Sequence, residues 1–238
     1  MVNPTVGPRS RVAAVVVGKK QLSPHLVRIT FGGYQLQQWI NEELGDEPAQ
    51  WVKVFPPMQA GRAYTIRFVR RSVAPSVDID FVTHKSPSGH SPTVSDWALA
   101  AVLGDQVELS GPRSGGFDLL SDSDWVWLGA DLTALPALMS IVESLPLELN
   151  IYVCLQIDEQ DRSDMKFPKN VTVVEFDAHE YLPGDWESDQ SGQVWVAGEI
   201  KLVKYWRAAW LERGLDGSRI NGKGYWKACA VDFRDSGE

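Results

Sequence analysis

The chain has 238 residues, 44% of them hydrophobic, enough to bury a sizeable core and to form two domains of roughly 100 to 120 residues each. Its 23 Lys and Arg against 31 Asp and Glu leave a formal charge of −8. That balance argues against a nucleic-acid surface and against nonspecific attraction to anionic membranes, so an anionic ligand needs a local basic patch. Cys154 and Cys229, the only cysteines, make neither a disulfide framework nor a zinc spacing. The apolar run from Val12 to Val17 is too short for a signal core or a membrane span, so the expected compartment is the cytoplasm.

The first half reads as strands and turns. Arg11 to Lys19 and Leu26 to Phe31 are β-rich and separated by Ser23-Pro24, and Trp51 to Phe55 ends at Pro56-Pro57. Ala63 to Arg70, Val77 to His84 and Gln106 to Ser110 complete a set of six short strands, which predicts a small antiparallel barrel. Thr93 to Leu103 has helical spacing, with Thr93 or Ser95 as its N-cap.

The second half alternates strands with helices, the pattern of a parallel sheet. Strands are expected at Trp125 to Leu128, Leu149 to Leu155, Val171 to Phe176 and Gln193 to Ala197, with helices at Leu132 to Leu145 and Ile200 to Arg213. Gly115-Gly116 and a Ser/Asp cluster mark a boundary, giving domains 1–118 and 119–238. The fold class is thus a β-barrel followed by an α/β domain.

Chemistry concentrates in Arg62-Ala63-Tyr64-Thr65-Ile66-Arg67, where an aromatic ring, a hydroxyl and two guanidiniums share a few residues of strand. A flavin dinucleotide needs that mixture: a ring against the isoalloxazine, a hydrogen-bonding hydroxyl, and a guanidinium for the pyrophosphate. An edge strand with charges on its wet face reads the same way. Asp158 and Glu159 follow the second strand of the α/β half, where an acid accepts from a ribose 2′-hydroxyl and repels a 2′-phosphate. Arg162 and Lys166 argue the opposite, which leaves NADH against NADPH open with a lean to NADH.

The ordered set of motifs resembles the siderophore-interacting protein family, flavin-dependent ferric-siderophore reductases of ferredoxin reductase-like architecture. It comprises Arg62 to Arg67, Asp80-Phe81-Val82-Thr83-His84, Trp97-Ala98, Gly104-Asp105 and Gly111-Pro112-Arg113, then Asp131 to Ala137, Trp195 to Glu199 and Gly224-Tyr225-Trp226-Lys227. The resemblance runs from about Arg11 to Asp232. It implies FAD held by Arg62, Tyr64, Thr65 and Arg67, with His84 at the phosphates or adenosine and Thr93, Val94 and Ser95 as phosphate donors at a helix start. It places Asp131 and Thr133 at the nicotinamide-nucleotide loop; a helix cap explains those two, and Thr93, equally well. Lys53, Arg113 and Lys227 match a basic triad for the ferric siderophore, the C-terminal segment returning to the flavin site.

The implied reaction passes hydride from NADH or NADPH to FAD and single electrons onward to chelated Fe³⁺, with no catalytic acid, base or protein metal ligand. Ferredoxin is a further candidate donor, and a monomer is expected. Two alternatives stay open: a ferredoxin reductase-like enzyme serving a small redox protein, and a flavoprotein that binds ferric siderophore without reducing it.

Overall fold

The structure, a computed structural model, describes residues 11–83, 93–162, 165–174 and 191–228. His84, Phe176 and Cys229, which carry sequence expectations, lie outside the described residues. The chain forms two compact units, Met1–Gly115 and Gly116–Glu238.

Six strands build the first unit: β1 (Val12–Ser23), β2 (Leu26–Gly32), β3 (Trp51–Phe55), β4 (Arg62–Arg70), β5 (Ser76–Val82) and β6 (Gln106–Arg113). They close in the order β1-β2-β5-β4-β3-β6, with β6 pairing back onto β1, every pair antiparallel. Closure leaves no free sheet edge. Period-two alternation fills the interior: Val52 and Val54 of β3 point in, as do Val77, Ile79 and Phe81 of β5. β5 is buried on its other face as well. There Asp78 accepts from Thr30 Oγ1 (2.7 Å) and from Arg70 Nη1 and Nη2 (2.7 and 2.6 Å), while Asp80 holds Arg28 (2.6 and 2.8 Å). Burial pushes the Asp78 carboxyl up, but the bonds from Arg70 and Thr30 and the nearby arginine charges outweigh it, so its pKa lies below the usual value.

Two helices complete the barrel core. α1 (Tyr34–Glu42) contributes Leu36, Trp39 and Ile40, spaced as one helix face. α2 (Val94–Ala100) contributes Val94 and Ala98, and its Trp97 packs with Phe31 and Phe81. It is shorter than its apolar pattern suggested, because Asp105 takes the backbone N–H of Val102 (2.9 Å) and Gly104 turns the chain at φ +94°.

The second unit is a five-stranded parallel sheet of β7 (Trp125–Asp131), β8 (Asn150–Gln156), β9 (Val171–Val174), β10 (Gly192–Glu199) and β11 (Ile220–Trp226), in the order β11-β10-β7-β8-β9. α3 (Leu135–Ser144), the short α4 (Glu159–Arg162) and α5 (Ile200–Glu212) connect the strands. Trp127 meets Trp206 and Trp210 of α5 edge to face, and the three share a core with Val194, Val196 and Cys154. From β7 the chain adds strands on one side and then returns with β10 to the other. The switch point therefore lies between the carboxyl ends of β7 and β10, where open α/β sheets receive ligands.

Candidate functional site

In the barrel, β4 pairs with β3 so that Tyr64 lies opposite Val52 and Arg62 opposite Val54. Facing residues of an antiparallel pair share a side, and Tyr64 accordingly meets the core. Its ring sits 4.4 Å from that of Phe81, which packs in turn on Phe31 and Trp97. Tyr64 stays half-buried, so it offers a rigidly backed aromatic face. Burial pushes its phenol well above the ordinary value, with the Arg62 charge pulling the other way. A ring face next to a guanidinium is the pair a flavin dinucleotide requires, and the two residues fit that ligand.

Thr65 lies opposite Trp51 and is buried. Arg67 departs from simple alternation. Ile66 pairs with Ile79 and Phe68 with Asp78, so Arg67 is the extra residue of a bulge. It is buried, its guanidinium 3.9 Å over the Phe68 ring, with Arg28 at 4.9 Å from the same ring.

At the start of α2, Thr93 is the cap and closes a capping box. Its N–H and its hydroxyl each donate to Asp96 Oδ2 (2.8 Å), and its oxygen accepts from the Asp96 N–H (3.3 Å). The Thr93 donors are thereby spent, and the carboxylate of Asp96 opposes an anion at the same end. Val94 and Ser95 are buried there.

The outer face of β3, β4 and β6 gathers two of the expected substrate cations. β6 continues past Ser110 to Arg113, with a register shift against β3 between Trp51 and Lys53. One row across the three strands is Thr65, Trp51, Arg113; the next is Ala63, Lys53, Ser110. Arg113 stands 4.8 Å over the Trp51 ring, and Trp51 Nε1 donates to the Ser114 carbonyl (3.0 Å). Trp51, two residues before Lys53 on the same strand face, has no role in the sequence reading, although the period of two marks it.

In the second unit Asp131 ends β7 at the switch point, buried, and accepts five hydrogen bonds. Oδ1 takes Thr133 N (2.8 Å), Thr133 Oγ1 (2.5 Å) and Ala134 N (3.2 Å), which turns the chain into α3. Oδ2 takes Glu199 N and Trp226 Nε1, both at 2.8 Å. α3 therefore starts at Leu135, three residues later than its apolar spacing suggested, with Pro136 in its first turn. Glu199 caps α5 through Oε2, from Lys201 N (2.5 Å) and Leu202 N (3.3 Å). Trp226 remains 42% exposed at this crevice and Lys227 follows it, exposed.

At the end of β8, Asp158, Glu159 and Lys166 are exposed, whereas Arg162 turns back to donate to the Leu155 carbonyl. Among the described residues no helix is long and apolar enough to cross a membrane.

A closed antiparallel barrel followed in the chain by a parallel α/β sheet is the ferredoxin reductase-like fold. Residues 56–116 match the model of the siderophore-interacting FAD-binding domain, and residues 123–229 that of siderophore-interacting protein. The chain belongs to the siderophore-interacting protein family. It is 33% identical over 181 residues to the ferric vibriobactin reductase ViuB of Vibrio cholerae, a match spanning 66% of this chain and 63% of that protein's length. The siderophore-interacting protein SipS of Aeromonas hydrophila superposes with a TM-score of 0.70 at 26% identity, over 92% of this chain and 99% of that one. The siderophore-interacting protein of Acinetobacter baumannii shares the fold, with a TM-score of 0.76 at 23% identity over 94% of this chain and 93% of that one.

Proposed function

We propose that the chain is an FAD-dependent ferric-siderophore reductase whose electron donor is NADH. The observation that carries this reading is the barrel's pairing of two surfaces on the same strands: the half-buried Tyr64 ring beside Arg62, and the outer face with Trp51 and Arg113 in one row and Lys53 in the next. The reductase named among the relatives supports the activity. The donor preference is supported by Arg162, which bonds the Leu155 carbonyl while the acids Asp158 and Glu159 face solvent.

Bound FAD supplies the conversion between hydride acceptance and single-electron donation to chelated ferric iron. The protein's share is placement. Arg62 would pair with the pyrophosphate and Tyr64 would back the ring system, and Thr65, on the other face of β4, would meet the flavin edge through its backbone. Lys53, Arg113 and Lys227 attract the anionic chelate, and Trp51 fixes the direction of Arg113. Iron enters and leaves as substrate, bound to its chelator.

Anaerobic stopped-flow mixing tests the reading. The purified protein should be yellow or take up added FAD, bleach faster with NADH than with NADPH, and reoxidise on mixing with a ferric tris-catecholate. A protein that takes up no flavin overturns the proposal. Bleaching without reoxidation by any ferric chelate would instead favour a small redox protein as acceptor.

A further inference from the structure

The last described segment is held in a way that strand pairing alone does not explain. β11 is an edge strand with glycine at 222 and 224, and its register against β10 shifts between Gly198 and Glu199, so that Tyr225 is skipped and Trp226 falls opposite Glu199. Such shifts re-aim side chains next to functional sites. Past Trp226 the ladder ends, and a terminal segment without anchors would fray. Two anchors bracket Lys227. Trp226 Nε1 donates to Asp131 Oδ2 (2.8 Å) on its one side, and Ala228 N donates to Glu199 Oε1 (3.3 Å) on the other.

The two carboxylates divide their oxygens alike. One oxygen of each fastens a helix start: Oδ1 of Asp131 for α3, Oε2 of Glu199 for α5. The other reaches the segment that carries Lys227. Asp131 also accepts the Glu199 N–H (2.8 Å), so the ends of β7 and β10 are joined directly, and Gly198 at φ +135° leaves no room between them. Both carboxylates keep their charge at this crevice, and their lone pairs are committed to N–H and O–H donors, so they hold the segment and do not themselves bind an anion.

We infer that Asp131 and Glu199 are positioning residues that fix Lys227 through Trp226 and Ala228, holding its ammonium at one place for the anionic ferric chelate. The inference rests on Lys227 engaging the chelate, as proposed above. It gives Asp131 a role in substrate recognition in place of contact with the nicotinamide nucleotide.

Trp226→Phe tests it, keeping an aromatic ring and removing the donor; Asp131 variants also release the start of α3 and report less cleanly. With the FAD-loaded full chain and a ferric tris-catecholate, Lys227→Ala and Trp226→Phe should each raise KM on the order of fivefold, the loss of one charge-assisted contact. Both should raise it far more for this trianion than for an uncharged ferric hydroxamate. In the Lys227→Ala background, Trp226→Phe should add less than twofold, roughly the resolution of such cycles. Glu199→Gln, which keeps a carbonyl acceptor, should stay closer to the parent KM than Glu199→Ala. Effects of Trp226→Phe and Lys227→Ala that multiply, or a Trp226→Phe KM equal to the parent's while that of Lys227→Ala rises, would overturn the inference and leave the role of Lys227 standing. An unchanged KM in Lys227→Ala removes that role and the inference with it.

Discussion

Gly198→Ala should be among the most damaging single-methyl additions to the second unit. Its φ of +135° is one that side chains rarely adopt, and an added Cβ would lie 2.5 Å from Asp131 Cγ and Oδ2 and 2.8 Å from Oδ1. The carboxylate has nowhere to withdraw, because five donors from Thr133, Ala134, Glu199 and Trp226 hold it. Backbone strain costs about 1 to 3 kcal/mol. Displacing the carboxylate far enough to lose one bond to a charged group costs about 1.5 to 3 kcal/mol more. The sum is about 2.5 to 6 kcal/mol, or a fall in Tm of roughly 10 to 24 °C at about 4 °C per kcal/mol for a unit of this size. Gly214→Ala is the control in the same unit, with φ +89° and nothing within 4 Å of the added carbon. It should lose only the backbone part. Urea and thermal unfolding read by tryptophan emission would compare the two, since the unit's core contains Trp127, Trp206 and Trp210. Equal losses would refute the claim that Asp131 is pinned.

Asp78 contributes stability with a defined pH dependence. Its folded pKa lies below the ordinary value of about 3.9, so the contribution is present above about pH 4 and is lost as pH falls through the folded value. With Arg70 half-exposed, that contribution is about 1 to 2 kcal/mol after solvent screening; Asp78→Asn should flatten the acid limb of the urea midpoint, and an unchanged limb counts against the pairing. Burial pushes the Cys154 thiol up to about 12, with the Arg162 charge pulling it down. Alkylation followed by peptide mass mapping should find Cys154 unmodified in the native protein and modified after denaturation. Trp51→Ala removes the ring beneath Arg113, a cation–π contact worth about 0.5 to 1 kcal/mol. KM for an anionic ferric chelate should rise roughly two- to fivefold, and added salt should narrow the gap from the parent. A KM unchanged at low salt would detach Trp51 from substrate binding.

The barrel was legible because its strands combine β-branched runs with turn residues, and all six begin within one residue of where the pattern puts them. α1 left a signal that went unread, the spacing of Leu36, Trp39 and Ile40. β11 left almost none. Its Ile-Asn-Gly-Lys-Gly-Tyr-Trp has no alternation, and Asn, Lys and two Gly offset the strand-forming Ile, Tyr and Trp, so pairing with β10 makes it a strand. At the site, Arg62 and Tyr64 could be placed on one face by counting in twos, since nothing interrupts β4 before Ile66. Arg67 could not, because a bulge is set by the partner strand. The roles of Asp131 and Glu199 were hidden for a different reason. Their partners lie as far as 95 and 29 residues away in sequence, at Trp226 and Ala228.

An acidic protein proposed to hold an anionic chelate raises a question of range. At cellular ionic strength charges farther than about 8 Å are largely screened, so the formal charge of −8 acts weakly on a chelate already near its site. What matters is which acids stand close to the assigned cations. Asp131 and Glu199 are the acids that anchor the Lys227 segment, and their oxygens accept bonds from backbone N–H groups, a hydroxyl and an indole. Around Arg113 the neighbours in register are Trp51 and Thr65, both uncharged. Arg113 thus meets no acid among its register neighbours, while Asp131 and Glu199, bonded by neutral donors, keep their charge beside the Lys227 segment. Above physiological salt, the dependence of KM on ionic strength should follow Lys53, Arg113 and Lys227. Acid-to-amide changes on distant surfaces should leave it unaltered; a salt slope that tracks net charge instead would mean that none of these residues acts on the chelate.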